Sequence, residues 1–287
     1  MFYFGISISQ ILKYRVITYL KIFKYYILYV LPLLKYFSKT KRLKNSHKND
    51  YAFVFANGPS LKKVDPNKVA NLQKKNFYVF AVNSYISSDF ASVVAPNYYV
   101  LSDPAYFGIE SKLITEERKI ELKRDYNKIL KNRVKLFIPS RFIKKQNYDF
   151  TYAFNDSQNI FSNNITNPLR PRGYLSMTAY KALAMACYLG FKKIYICGFD
   201  NNYVQTLKVN QNNEMYIVDR HFYNNETYES RIHKIKNNVT KTVGEYLYHH
   251  HFLFKHLEKF SKYPIVNLDK DSLVDCFDKI HDLDIYK

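Results

Sequence analysis

Four apolar runs in this chain each end in side chains able to hold a nucleotide. Asn57-Gly58-Pro59-Ser60 follows Tyr-Ala-Phe-Val-Phe-Ala, Asn83-Ser84 follows a second run, Ser102-Asp103-Pro104 a third, and Gly198-Phe199-Asp200 a fourth. Carboxamides, hydroxyls and carboxylates are the groups that read base edges and ribose hydroxyls, and in open parallel sheets ligands gather at the carboxyl ends of the strands. At the first run, Gly58 offers dihedrals closed to other residues, Pro59 suits a first helical turn and Ser60 can cap it. This predicts free N–H groups and a positive helix end turned toward a phosphate or sugar hydroxyl. The spacing is neither G-x-x-x-x-G-K-S/T nor G-x-G-x-x-G, so it implies neither an ordinary NTPase nor a dehydrogenase.

Other reactive groups are less apt. His249, His250 and His251 are consecutive on a helical pattern, so their side chains fan across about 200° and cannot share one metal. Asp269-Lys270-Asp271 and Asp282-Leu283-Asp284 have a spacing that can hold a divalent ion, but the first pair stands where acidic helix caps are usual and the second in the last few residues. No metal site is expected. Cys187, Cys197 and Cys276 lack metal spacing and sit in apolar contexts, as buried thiols of a reducing compartment do.

The elements that must position these groups alternate. Strand patterns cover 51–56, 77–82, 98–102, 134–138, 193–197 and 264–268, mostly continuous apolar runs of the kind buried on both faces of a parallel sheet. Helix patterns cover 115–131, 176–189 and 240–262; the second carries Ala179, Ala182, Leu183, Ala186 and Leu189 on one face and stops at Gly190. Residues 143–170 and 200–238 are polar and poorly periodic, as substrate walls and lids are. The expected fold is α/β, a Rossmann-like, mostly parallel sheet with helices on both faces. It forms one domain over 51–287, with a lid at about 200–238 and an N-terminal appendage over 1–50.

A hydrophobic share of 47%, with 28 Tyr and 22 Phe, argues for a folded chain. The net charge of +20 invites a nucleic-acid reading, yet ten Lys/Arg against one acid fall in residues 1–50. The remainder has no recognisable nucleic-acid module. In that N-terminal stretch Lys13, Arg15, Lys21, Lys24 and Lys35 interrupt the apolar runs, and the longest charge-free stretch after the opening, 25–34, falls short of the roughly 20 residues a span needs and contains Pro32. No small-residue cleavage site follows it. The pattern predicts a basic amphipathic helix lying in the interface of an anionic membrane.

Taken in order, Phe55-Ala56-Asn57-Gly58-Pro59-Ser60-Leu61, Asn83, Asp103-Pro104 and Gly190-Phe191-Lys192-Lys193-Ile194-Tyr195 leading to Gly198-Phe199-Asp200 resemble the bacterial sialyltransferases of glycosyltransferase family 42. They also resemble the related 6-hydroxymethylpterin pyrophosphokinase-like domain of surface-glycan loci, over residues 51–275. The resemblance implies a metal-independent, inverting transfer of a sialic-acid-like sugar from a CMP-activated donor, with no further cofactor and a histidine of the lid as general base.

Residue by residue, Asn57, Gly58, Ser60, Asn83, Thr178, Gly198 and Asp200 fall where that family binds the nucleotide. Asp103 stands where it has an asparagine near the donor sugar, and Arg172 or Arg170 only loosely matches its arginine before the helix. His221, in the lid, is the candidate base, since an imidazole near pKa 6–7 can take an acceptor hydroxyl's proton. Tyr203, Tyr216 and Tyr223 are candidates to stabilise the departing phosphate. The expected partners are the nucleotide-sugar donor, a glycan or glycolipid acceptor, an anionic membrane and a second copy of the chain, with no nucleic acid. The expected location is the cytoplasmic face of a bacterial inner membrane, peripherally bound. The competing expectations are a transferase using another nucleotide sugar and a pyrophosphokinase-like or other nucleotide-binding protein holding Mg²⁺ through Asp103 and Asp200.

Overall fold

In a computed structural model of the chain, the described residues are 8–109, 116–143, 148–159, 161–173, 177–219, 222, 231–234 and 242–280. Eight strands form one parallel sheet: β1 (Tyr51–Phe55), β2 (Phe77–Val82), β3 (Tyr98–Val100), β4 (Lys135–Pro139), β5 (Thr151–Phe154), β6 (Lys193–Cys197), β10 (Ile265–Asn267) and β11 (Asp278–Lys279), in the order β11-β10-β6-β1-β2-β3-β4-β5. Three more, β7 (Leu207–Val209), β8 (Met215–Asp219) and β9 (Arg231–Lys234), pair antiparallel in a small separate sheet. The fold is the expected Rossmann-like α/β architecture.

Alternation along each strand builds two cores. Ala52, Val54, Phe80, Val82, Tyr98 and Phe137 face α6 (Thr178–Leu189) and the end of α7 (Val243–Leu257). Phe53, Phe55, Val79, Tyr99, Leu136 and Tyr195 face α3 (Pro66–Gln73), α4 (Asp89–Val93) and α5 (Glu116–Lys131). Helix α6 is buried almost all round, which its Ala-rich sequence permits by letting the backbone lie close to the strands. It ends at Gly190, whose φ of 80° is the left-handed stop the sequence suggested.

Three features depart from the sequence reading. The polar stretch 143–170 contains β5, a four-residue edge strand whose Ala153 and Phe154 are buried. Within 200–238, read as poorly periodic, the described residues include the three short strands β7, β8 and β9. At the N-terminus, α1 (Ile8–Tyr25) runs through a π turn (Tyr26–Val30) and a 3-10 turn (Leu31–Leu33) into α2 (Leu34–Arg42), so Pro32 does not end it. Proline removes one backbone donor, and the local change of hydrogen-bond spacing absorbs that loss. The continuous stretch Leu12–Arg42 is, by length and composition, long and apolar enough to cross a membrane, and only 6% of its most apolar window is buried. Its 31 residues correspond to about 46 Å at 1.5 Å per residue.

From residue 30 onward this segment is part of the domain. Val30, Tyr36 and Phe37 are buried against β5, and the Thr40 hydroxyl donates to the Ala153 carbonyl at 2.7 Å, covering an edge that would otherwise be open. Further on, Asn45 and His47 donate their N–H groups to the Tyr188 and Leu189 carbonyls at the end of α6. Deleting 1–24 is therefore expected to leave the thermal melt within a few degrees of wild type. Deleting 1–45 removes Val30, Tyr36 and Phe37, uncovers Ala153 and the β5 edge, and should cost several kcal/mol, at roughly 1.5–3 kcal/mol per large apolar side chain lost. Equal melts for the two truncations would make the whole segment a detachable arm.

Candidate functional site

Strand order reverses at β1, which has β2 on one side and β6 on the other. At this switch point the loops leaving neighbouring strands part and open a crevice. The crevice is a cleft of about 470 Å³ bordered by Asn57, Gly58, Asn83, Asp103, Thr178, Gly198 and Asp200 among others. Seven of the expected site residues thus meet in one place, brought there from four strands and the start of α6.

The floor is a knot between the β1 and β6 loops. Gly58 and Ala56 donate N–H to the carbonyls of Gly198 and Cys197 at 3.0 and 2.9 Å. Ser60 donates from N and Oγ to the two Asp200 oxygens at 3.1 and 2.9 Å, and its Oγ accepts from the Gly198 N–H at 3.1 Å. Gly58 has an ordinary φ of −67°, so the unusual dihedral expected of it is absent. Glycine is required there by contact: a Cβ would lie 1.8 Å from Asp200 Oδ2 and 2.5 Å from the Gly198 carbonyl. Gly198 is the residue with positive φ, 77°, and its Cβ would lie 2.4 Å from the Ala56 carbonyl.

This knot also changes the expected anion site. Residues Pro59–Lys63 form a 3-10 helix with no side-chain cap, and Ser60, buried inside the knot, caps nothing. The Ser60 N–H that was to face a phosphate is already held by the Asp200 carboxylate. Burial raises the Asp200 pKa, and the Ser60 hydrogen bonds oppose that rise. A phosphate at this turn would meet a carboxylate.

Above the floor, two carboxamides are unsatisfied. The Asn57 Oδ1 and Asn83 Oδ1 atoms are buried without a hydrogen-bond partner among the described residues. Asn83 adopts φ 50°, a left-handed position that asparagine tolerates. Thr178 and Ser102 share a hydrogen bond of 2.7 Å between their hydroxyls at the wall. Asp103 is exposed at the rim, where its carboxylate accepts the Ala105 N–H at 3.0 Å.

The remaining expectations are less well placed. Arg172 is buried, stacked 4.7 Å from the Phe154 ring, with Nε donating to the Asn155 carbonyl at 3.4 Å. Tyr216 lies on β8, outside the residues bordering the cleft, and Tyr203 lies on the 3-10 helix Asn202–Thr206 beyond Asp200. His221 and Tyr223 fall outside the described residues. Phe222 between them is buried against Tyr85 and Phe90, with its N–H donating to the Asn57 carbonyl at 2.9 Å. The lid chain is therefore pinned to the cleft floor at Phe222. Among the described residues, no group of three or more His, Cys, Asp or Glu side chains could hold a metal.

Sequence reasoning missed the opposite wall. Arg141 follows β4, Asp156 follows β5 and Lys181 lies in the first turn of α6, and all three border the cleft. The signal was present for Arg141, a charged residue just past a strand end like the others. Asp156 was hidden because β5 was not recognised.

The fold and the cleft define a Rossmann-like α/β protein with a ligand-sized cleft at its topological switch point. Residues 30–206, well over half of the chain, match the family described as 6-hydroxymethylpterin diphosphokinase MptE-like, and the chain belongs to that family. The match begins inside the N-terminal segment, where the chain starts to pack on β5. No curated protein matches the chain. The solved MAf glycosyltransferase from Magnetospirillum magneticum AMB-1 aligns at 11% identity and a TM-score of 0.45 over 86% of this chain. This chain spans 38% of that one.

Proposed function

We propose that this chain is a glycosyltransferase that moves a sialic-acid-like, nonulosonic sugar from a CMP-activated donor to a glycan or glycolipid, inverting the anomeric centre without a metal. The observation that carries the reading is the pair of unsatisfied carboxamide oxygens, Asn57 Oδ1 and Asn83 Oδ1, in a cleft at the strand ends. Buried polar atoms in native proteins have partners, and a ligand donating O–H or N–H groups, as a ribose or cytosine does, supplies them. The cleft volume falls within the range of small-ligand pockets.

In this reading an acceptor hydroxyl oxygen attacks the anomeric carbon while the bond to the CMP phosphate oxygen breaks with its electron pair. His221 takes the hydroxyl proton. Tyr203, Tyr216 and Tyr223 are the candidates to donate to the departing phosphate, and Asp103 at the rim faces the sugar. Exposed Leu12, Val16, Leu20, Phe23, Ile27 and Leu31, interspersed with Lys13, Lys21 and Lys24, support seating of the N-terminal helix in the membrane at its cytoplasmic face.

The family's description favours a second reading, diphosphoryl transfer from a nucleoside triphosphate to a hydroxymethylpterin, with Asp103 and Asp200 at the cleft as candidate Mg²⁺ ligands. Thermal shifts separate the two. In EDTA, CMP at about a hundred times its Kd should stabilise the wild-type protein by about 2.7 kcal/mol, and Asn57→Ala should weaken that binding roughly tenfold. Stabilisation by ATP only when Mg²⁺ is added, with none by CMP, replaces the transferase by the kinase.

A further inference from the structure

We propose that Arg141 and Lys181, both paired with Asp156 on the wall of the cleft, form an oxyanion subsite at the end of the cleft away from Asp200, with the buried Arg172 behind them adding to the positive field. The subsite would take the phosphoryl or carboxylate group of the bound substrate. Lys181 Nζ lies 2.9 Å from Asp156 Oδ1 and Arg141 Nη2 lies 3.0 Å from Asp156 Oδ2. One carboxylate therefore pairs with two cations, and Arg172 acts on both Asp156 and Lys181 at longer range, leaving positive charge in excess in a region where Lys181 is 6% exposed and Arg172 is 3% exposed. Both terminal nitrogens of Arg172 are buried with no hydrogen-bond partner among the described residues. Buried positive charge in excess is unfavourable, and an anion entering the cleft beside Lys181 and Arg141 offsets it without having to contact Arg172.

The surroundings hold the cluster in place. The Asp156 N–H donates to the Tyr25 hydroxyl at 3.3 Å, and that hydroxyl lies 3.0 Å from Ser140 Oγ, which fixes both ends of the arrangement to the N-terminal helix. Helix α6 opens onto the same wall with no side-chain cap on Met177, so its positive end adds to the cation field. Burial lowers the pKa of Lys181, and the neighbouring guanidinium groups of Arg172 and Arg141 lower it further, against the pull of Asp156. Burial likewise pushes Arg172 down to about 10. The opposite end of the cleft repels anions through Asp200, so an extended ligand with a polar, hydroxyl-bearing end and an anionic end has one orientation. The subsite rests on the nucleotide-sugar reading only for what the anion is attached to.

The test uses the full chain at low ionic strength, titrated calorimetrically with inorganic pyrophosphate and, separately, with free N-acetylneuraminic acid. Binding of the first marks a phosphoryl subsite and of the second a carboxylate subsite. Lys181→Met and Arg141→Gln should each weaken the bound probe at least tenfold, while cytidine, which carries no anion, binds both variants as it binds wild type. Lys181→Met leaves Asp156 paired with Arg141. If it nonetheless fails to fold, Arg141→Gln, at a partly exposed side chain, decides alone. Wild-type protein that binds neither probe, or variants that bind the probe as tightly as wild type, overturn the subsite. Failure of cytidine to bind wild type removes the cytidine-nucleotide reading and leaves the anion result standing.

Discussion

Gly58→Val is expected to abolish the folded protein, with insoluble expression or a thermal midpoint lowered far beyond an ordinary surface substitution. A Cβ at this position would sit 1.8 Å from Asp200 Oδ2 and 2.5 Å from a backbone carbonyl of the β6 loop. Asp200 cannot swing aside freely, because it accepts both Ser60 hydrogen bonds. Relieving the clash requires separating β1 from β6 at their carboxyl ends, where Gly58 N–H and Ala56 N–H pair with the β6 loop. Opening this knot strands buried polar groups, and a cost of at least roughly 4 kcal/mol is a large part of a typical domain's stability. Gly244→Ala is the control: it lies in the first turn of α7, where a Cβ would meet only Thr242 Oγ1 at 3.7 Å. That change should be neutral or stabilising by up to about 1 kcal/mol. A Gly58→Val protein that melts like wild type and has lost only ligand binding would mean that the glycine clears room for a ligand and that the contact with Asp200 is not what requires it.

His221→Ala is expected to lower transfer by roughly two to four orders of magnitude while leaving CMP binding close to wild type, the pattern of a general base removed from an intact pocket. Its support is chemical and positional. An imidazole titrates in the range a hydroxyl's proton acceptor needs, and the next residue, Phe222, is buried with its N–H on the Asn57 carbonyl at the cleft floor. The pH–rate profile of wild type should carry a limb near the histidine pKa that disappears in the variant. Retention of near wild-type turnover removes His221 from the mechanism, and loss of CMP binding reassigns it to the pocket. Phe222→Ala provides an independent readout: loosening the pinned lid should lower turnover and raise susceptibility to limited proteolysis together, whatever His221 does.

The sheet and its switch point were legible because each depends on local pattern. The strands β1, β2, β3, β4, β6 and β10 are apolar runs that only a sheet buried on both faces can accommodate, and each of the first three ends in polar residues that open a loop. Gly190 closes α6 where the pattern put it. Strand β5 was not legible, since four residues in a polar context carry too little periodicity. Its identity comes from pairing with β4 and from α2 closing its edge. The small β7–β8–β9 sheet was hidden for the same reason, as its stability comes from cross-strand pairing.

The sequence by itself determined that strand-end residues such as Asn57, Asn83, Asp103 and Asp200 share one edge of a parallel sheet, because chain direction and side-chain alternation leave no other arrangement. Only the tertiary structure decided what each does there. Gly58, read as a conformational device for a ligand, is a contact device for Asp200, and Ser60 fastens two loops. Residues 30–50, read as an appendage, close the sheet's edge. Arg141, Asp156 and Lys181, separated along the chain, converge on one wall. Contacts between distant segments set these roles, since the van der Waals and electrostatic forces that define them act over a few ångströms of space, regardless of separation along the chain.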